Sequence, residues 1–199
     1  MRVLYASREN SESKRVLKDY KVSCHGCVVG TSNRRIHAFK KGYEDIQNVS
    51  KFKALTKGCL LDLLPEDFKE RVAFIDKAMP VSLGEDYGPF DKGYMLLEGD
   101  DSVIAVDLTG HAIGQFGIFV TMESRKRLFL CADAVWISAS YQQLIYPHKL
   151  TDSLIADKAS YKENIKKLNQ LTSTQPEIDI LPTHCQTTWD IANRGVIYE

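Results

Sequence analysis

Residues 93–136 contain four apolar runs separated by short polar turns, and this pattern limits the fold more than any other feature. "GYMLLEGDDSVIAVDL" places two such runs around Gly-Asp-Asp-Ser, and "FGIFVTMESRKRLFLCADAVW" repeats the arrangement around a charged turn. Apolar runs of this length joined by turn residues are typical of β-hairpins. We therefore predict consecutive antiparallel strands over residues 93–133.

The segment "SLIADKASYKENIKKLNQLTS" follows these strands and predicts an amphipathic helix over residues 154–172, packed on their sheet. Its apolar side chains recur at roughly helical intervals, with lysine and asparagine between them. These apolar residues are Leu154, Ile155, Tyr161, Ile165, Leu168 and Leu171. A short strand in "EIDILPTHC" ends the regular part of the chain.

The segment before residue 93 predicts further elements. "RRIHAF" suits a strand, "KKGYEDIQNVSKFKALTKG" suits one helix closed by Gly58, and "LPEDFKERVAFID" suits a helix opened by Pro65 before a short strand. Strands and helices mixed in this order predict an α/β or α+β layered fold. We interpret residues 1–199 as one domain, in which residues 1–35 form an irregular start.

The composition narrows the classes of function. Lys plus Arg number 26 and Asp plus Glu number 26, so the formal net charge is zero, whereas a nucleic-acid-binding protein usually carries a basic surplus. No apolar run reaches the roughly 18–20 residues needed to cross a bilayer, and no signal peptide is recognisable. The five cysteines are an odd number without an export signal, which indicates reduced thiols. We expect a cytoplasmic protein with no nucleic-acid or membrane partner.

Three residues of metal-ligand type follow three of the predicted strands. His111 comes after "SVIAVDL", Asp133 after "LFLCA" and His184 after "IDILPT". Side chains just past strand ends are held rigidly at one edge of a sheet. Imidazole and carboxylate are the usual ligands of a hydrolytic zinc, so the three residues are candidate metal ligands.

From residue 36 to 190 the sequence resembles the later part of the metallo-β-lactamase superfamily. "DLTGHAIGQ", "LFLCADAVW" and "ILPTHC" are similar to three metal-ligand segments of that family. The resemblance implies an α+β fold, specifically an αββα sandwich with zinc at one edge. It also implies that His111 binds a first metal, that Asp133 bridges two metals and that His184 binds the second. Members of the family mostly hydrolyse lactones, thioesters, β-lactams or phosphodiesters.

The sequence departs from the family at its beginning. The family's His-x-His-x-Asp-His motif is absent, and "YKVSCHGCVVG" stands at its expected place. The resemblance then leaves two protein ligands for each metal, whereas a catalytic zinc generally has three and a water. Residues 1–35 are therefore expected to be an atypical or truncated start.

The cysteine-rich segment of that start could substitute for the missing motif. Cys24, His25 and Cys27 are good zinc ligands, so they are candidate additional ligands. A redox role and a strand end without function are the alternatives, and "VVGTS" is a poor start for the helix that a redox pair would need. His148, in the loop "YPHKL", is a candidate contact to substrate, with a surface histidine as the alternative.

Three hypotheses for function follow from these observations. The first is a metal-dependent hydrolase of a small molecule, an ester, lactone, thioester or phosphodiester, with activity impaired because half of the ligands are absent. The second is a non-catalytic protein that keeps the scaffold for binding or structure. The third is a fragment of a longer active hydrolase, read from an internal start. Neither a particular catalytic group nor an oligomeric state follows from the sequence, and fold does not fix the substrate.

Overall fold

The computed structural model describes residues 36–47, 49–57, 66–148, 151 and 154–188. Its α-helices are α1 (Lys40–Gln47), α2 (Lys51–Thr56), α3 (Phe68–Arg71), α4 (Ser138–Gln142) and α5 (Lys158–Thr174). Its strands are β1 (Ile36–Ala38), β2 (Val72–Phe74), β3 (Met79–Ser82), β4 (Lys92–Leu97), β5 (Asp100–Asp107), β6 (Phe116–Thr121), β7 (Arg127–Ala132) and β8 (Asp179–Pro182).

Six of the strands form one sheet in the order β3–β4–β5–β6–β7–β8. Neighbouring strands from β3 to β7 are antiparallel, and β8 pairs with β7 in parallel. The prediction of consecutive antiparallel strands over residues 93–133 is therefore confirmed. The first hairpin turns at Glu98 and Gly99, and Gly99 has a φ of 73°, a conformation that glycine adopts without steric cost.

The sheet separates two apolar clusters because side chains alternate along each strand. In β5, Ile104 and Val106 face the cluster that contains α5, while Val103 and Ala105 face the opposite cluster. The second cluster includes Phe39 and Ile75, each of which directly follows a strand of the parallel β1–β2 pair. The structure is therefore an α+β layered fold, and β1–β2 is the second sheet that the described residues contain.

The long helix differs from its prediction at the N-terminal end. It begins at Lys158 rather than residue 154, because the Asp157 carboxylate caps it by accepting hydrogen bonds from the backbone amides of Ala159 (3.0 Å) and Ser160 (3.1 Å). Leu154 precedes this cap and is 60% exposed. Asn164, assigned with the lysines to the polar face, instead lies on the buried face of the helix.

The single helix predicted for residues 40–58 is two helices, α1 and α2. The side chain of Ser50 accepts a hydrogen bond from the Lys53 amide at 3.3 Å and so starts a new helix. Gly58, the predicted helix end, and Pro65, the predicted opening of the next helix, lie outside the described residues. Within the described ranges, none of the helices has the length and apolarity to cross a membrane.

Candidate functional site

Three strand ends bring the candidate ligands to one edge of the sheet. Because β6 is antiparallel to both β5 and β7, and β8 is parallel to β7, strands β5, β7 and β8 run in the same direction. His111, Asp133 and His184 each follow the C-terminal end of one of these strands. All three therefore lie at the same edge.

The Asp133 carboxylate lies between the two imidazoles. Its Oδ2 atom is 3.8 Å from Nε2 of His111, and its Oδ1 atom is 3.4 Å from Nε2 of His184. Asp133 and His111 are buried, at 3% and 7% exposed, whereas the His184 side chain is 62% exposed. The site therefore has one histidine–carboxylate pair in the interior and one next to solvent.

The donor atoms can be compared with the requirements of zinc. Bonds of about 2.0–2.1 Å in a tetrahedral shell place two donors about 3.3 Å apart. The Asp133–His184 pair matches this separation at 3.4 Å, and the Asp133–His111 pair exceeds it at 3.8 Å. However, no group of three or more His, Cys, Asp or Glu side chains in the described part of the chain is arranged to hold one metal ion. The donor types fit zinc, but for each candidate ion the described residues supply only two donors, one Asp133 oxygen and one imidazole nitrogen.

The loop that carries His111 is held against the beginning of α5. The carbonyl oxygen of Gly110 accepts a hydrogen bond from the Asp157 amide (2.8 Å), and that of His111 accepts one from the Ala156 amide (3.1 Å). A side chain at Gly110 would bring its Cβ within 2.8 Å of the Tyr161 backbone. A residue without a side chain is therefore required for the loop to approach the helix so closely.

The Asn164 side chain also attaches the His111 loop to α5. Its Nδ2 group donates to the carbonyl oxygens of Leu108 and Thr109, each at 3.0 Å. Asn164 is 4% exposed, so these bonds are shielded from water. Together with the two backbone bonds, four consecutive carbonyl groups of the His111 loop are bonded to α5 and its cap.

The turn that carries Asp133 is shaped by an irregularity in β7. The pairing with β8 shifts register between Leu130 and Ala132, and Ala132 has a φ of 50°, in the left-handed region. The Gln115 side-chain amide is oriented so that both its oxygen and its nitrogen have partners. In this orientation the oxygen accepts hydrogen bonds from the backbone amides of Ala134 (2.6 Å) and Asp133 (3.2 Å). A bulge of this kind redirects the next side chain, here the Asp133 carboxylate.

We expect Ala132→Gly to leave the free energy of unfolding nearly unchanged. The left-handed conformation costs alanine about 1–2 kcal/mol, and relief of this strain offsets the loss of a buried methyl group and the added chain entropy. The matched control is Ala105→Gly in β5, which loses a similarly buried methyl group without relieving strain and should lose about 1–2 kcal/mol. Urea unfolding measures both variants, and equal losses would contradict a strained Ala132.

The thiol of Cys185, which follows His184 in the chain, holds the segment after β8 against α4. Cys185 is 4% exposed, and its Sγ atom lies 3.2 Å from Oγ of Ser138, the first residue of α4. Burial acts to raise the pKa of Cys185, but hydrogen bonds with Ser138 and Thr188 outweigh it and lower the pKa to about 6. This contact connects the His184 segment to the helix that follows Asp133.

Two aromatic rings surround the buried imidazole. Trp136 meets the His111 ring edge to face with centroids 6.1 Å apart, and Tyr161 lies 6.5 Å away. Burial raises the pKa of Tyr161 to about 12, and the charge of Asp133 adds to the effect. Tyr161 therefore remains protonated at neutral pH.

The structure does not bring every predicted residue to this site. His148 is exposed in the loop after α4, where its carbonyl oxygen accepts hydrogen bonds from Thr151 at 2.8 and 2.7 Å. Its contact with a substrate stays a prediction. Cys24, His25 and Cys27 lie outside the described residues.

Sequence reasoning missed several residues that hold the site. Asn164 had a detectable signal, since it stands three residues after Tyr161 on an otherwise apolar helix face. Gln115 and Trp136 had no comparable signal, because their roles depend on contacts between distant parts of the chain.

The six-stranded sheet and the helices packed on it form an α+β fold of the metallo-β-lactamase type, as the resemblance in sequence predicted. No family model matches the sequence, and no curated protein matches it either. The fold assignment therefore depends on solved structures.

Three solved structures illustrate the match. An N-acyl homoserine lactone hydrolase, with the product N-hexanoyl-L-homoserine at its catalytic metal centre, has a TM-score of 0.52 and 16% identity over 79% of this chain and 50% of its own. AiiA of B. thuringiensis, with N-decanoyl-L-homoserine at its active site, has a TM-score of 0.51 and 15% identity over 79% and 49%. AidC, a dizinc quorum-quenching lactonase, has a TM-score of 0.51 and 16% identity over 81% and 55%. The chain thus spans about half the length of these proteins, and identities this low show the fold alone.

Proposed function

We propose that this chain is a metal-dependent hydrolase of the metallo-β-lactamase superfamily, with His111, Asp133 and His184 as metal ligands and with weakened metal binding. The position of the Asp133 carboxylate between two imidazoles carries the proposal. A carboxylate with a different imidazole beside each oxygen is suited to bridging two cations. AidC, described as a dizinc lactonase, supports zinc as the cation, and the matched N-acyl homoserine lactone hydrolase is described with a catalytic metal centre.

The substrate that we propose is a small molecule with an ester-type bond, a lactone above all, with thioesters and phosphodiesters as the other classes. The matched structures contain homoserine products of lactone hydrolysis, which supports this choice. The apolar surroundings of His111, formed by Trp136 and Tyr161, suit an uncharged group. We also propose that the exposed His148 contacts the substrate from the loop after α4.

The residues of the site have separate tasks in this proposal. Asp133 and His111 would hold a cation on the buried side, and Asp133 and His184 would hold one on the exposed side. Zinc, when bound, would supply Lewis acidity there. Trp136 and Tyr161 exclude solvent from the His111 side, which strengthens the electrostatic interactions of Asp133.

The ligand count leads to a prediction about metal content. Each missing imidazole removes a coordination bond, and two protein ligands per ion fall short of the three that catalytic zinc generally has. We expect protein washed in a mild chelator to contain far less than stoichiometric zinc by elemental analysis. It should then hydrolyse generic esters, lactones and phosphodiesters no faster than the His111→Ala, Asp133→Ala double variant.

A second arm with excess zinc tests the hydrolase itself. We expect zinc added to the washed protein to bind weakly and to produce hydrolysis of at least one of these substrates, both of which the double variant lacks. Absence of zinc-dependent hydrolysis, or zinc binding that the double variant retains, would favour the non-catalytic scaffold instead. Tight stoichiometric zinc that is lost in Cys24→Ser or Cys27→Ser would contradict weakened binding, and would mean that the cysteine segment completes the site.

A further inference from the structure

The two buried members of the candidate site are held by different parts of the molecule. Asp133 follows β7 and is fixed through its backbone amide by Gln115. His111 lies in a loop whose carbonyl groups are bonded to α5 and its cap. The distance between their side chains therefore depends on how α5 holds the loop.

Asn164 attaches the loop to α5 through its side chain, so a substitution can remove these two hydrogen bonds. We propose that Asn164 is a positioning residue, which sets the place of His111 beside Asp133 by donating to the carbonyl groups of the loop. This inference rests on the proposed function, because Asn164 would orient one of the proposed metal ligands. Asn164 is not proposed to touch metal or substrate.

The chemistry of the amide explains the choice of residue. An asparagine side chain has two N–H donors on one planar nitrogen, and here that nitrogen lies 3.0 Å from both the Leu108 and the Thr109 carbonyl oxygens. Asn164 is 4% exposed, so water cannot readily replace these bonds. A carboxylate of the same shape has no donor and repels both carbonyl oxygens.

The loop and α5 also approach each other closely beside Asn164. The space above Gly110 is filled by the Tyr161 backbone, with the Asn164 Nδ2 atom 3.2 Å from the place of a Cβ. Tyr161 is also the ring neighbour of His111 on the helix side. Loss of the Asn164 bonds therefore allows the loop to move away from the same helical turn that confines the His111 ring.

The same helix contains a matched control. Asn169 donates from its Nδ2 atom to the Tyr141 carbonyl oxygen at 2.9 Å, with the Gln142 carbonyl oxygen at 3.5 Å. These carbonyls belong to α4, which carries none of His111, Asp133 and His184. Asn169→Asp therefore makes the same chemical change on the same helix without touching the His111 loop.

The experiment uses the full chain freed of metal by chelator, so that its result does not depend on zinc. Nuclear Overhauser contacts between the His111 ring and the Trp136 and Tyr161 rings report the position of the imidazole. We expect Asn164→Asp to lose these contacts while the dispersion of the remaining spectrum is kept, and Asn169→Asp to keep them. Asn164→Ser, which retains one donor, should give an intermediate loss.

In the unsubstituted protein, scalar couplings across hydrogen bonds from Asn164 Nδ2 to the Leu108 and Thr109 carbonyl carbons should be measurable. Absence of these couplings, or ring contacts that persist in a folded Asn164→Asp protein, would overturn the proposal. Failure of both Asn164 variants to fold would overturn it as well, because the residue would then serve the whole fold rather than one loop.

A zinc arm separates this inference from the proposed function. If the unsubstituted protein binds zinc, we expect Asn164→Asp to lower its affinity about 10–100-fold, as loss of a residue that orients a metal ligand typically does, and Asn169→Asp to have little effect. Equal affinity in all three proteins would overturn the positioning role. Failure of the unsubstituted protein to bind zinc would instead count against the proposed function, and the metal-free ring contacts would still decide the role of Asn164.

Discussion

Replacing Phe129 by alanine is expected to lower the free energy of unfolding by about 3–5 kcal/mol, the range for removing a buried phenylalanine ring. Phe129 is fully buried at the centre of β7, stacked on Phe119 with ring centroids 4.1 Å apart and tilted against Phe90 at 5.3 Å. Few neighbouring side chains can move into the space, because strands on both sides fix the backbone. Chemical denaturation followed by circular dichroism measures the loss.

Phe52→Ala is the matched control for this experiment. Phe52 lies on α2 and is 76% exposed, so removal of its ring should change the free energy of unfolding by no more than about 0.5 kcal/mol. Similar losses at the two positions would mean that the cluster between the sheet and α5 is not the main core. Because Asp133 directly follows β7, the Phe129 variant should also loosen the candidate site.

Gly110→Ala is expected to produce the second largest loss, about 2–4 kcal/mol, from overpacking combined with weakened hydrogen bonds. The added Cβ would lie 2.8 Å from the Tyr161 nitrogen and Cα atoms, and backbone of α5 cannot rotate away as a side chain can. The loop must then separate from the helix, which stretches the bonds from the Asp157 and Ala156 amides. The same unfolding assay applies, and hydrogen exchange at these two amides should become faster.

Gly84→Ala serves as the control for Gly110→Ala. A Cβ at Gly84 meets no atom within 4 Å, and its φ of −86° is accessible to alanine. This variant should be as stable as the parent or slightly more so, since alanine reduces the entropy of the unfolded chain. If Gly110→Ala were equally harmless, the close approach of the His111 loop to α5 would be wrong.

Much of the sheet could be predicted because its signals are local. The apolar runs in β4 to β7 and the turns between them are read from adjacent residues, and each candidate ligand stands directly after such a run. Placement of His111, Asp133 and His184 at one edge additionally required the directions of β5, β7 and β8. Those directions came from the resemblance to a known family, since strand pairing is not encoded in any one segment.

Three other features were not predicted from the sequence. The break between α1 and α2 depends on the Ser50 cap, which the helical pattern of the neighbouring residues concealed. Asn164 was assigned to the polar face, although an amide that finds two carbonyl partners can occupy an apolar face. The bulge at Ala132 follows from the pairing of β7 with β8 and leaves no mark in the composition of either strand.

The alternating directions of β4 to β7 also divide the sheet into two ends with different tolerance of change. The β4–β5 turn at Glu98 and Gly99, and the β6–β7 turn at residues 122–126, lie at the end opposite His111, Asp133 and His184. Doubling the length of a surface loop adds only about 0.6 kcal/mol of closure entropy. A fluorescent reporter or an affinity tag inserted within residues 123–125 would therefore sit a full strand length from the candidate site, and would give a handle for titrating ligands there.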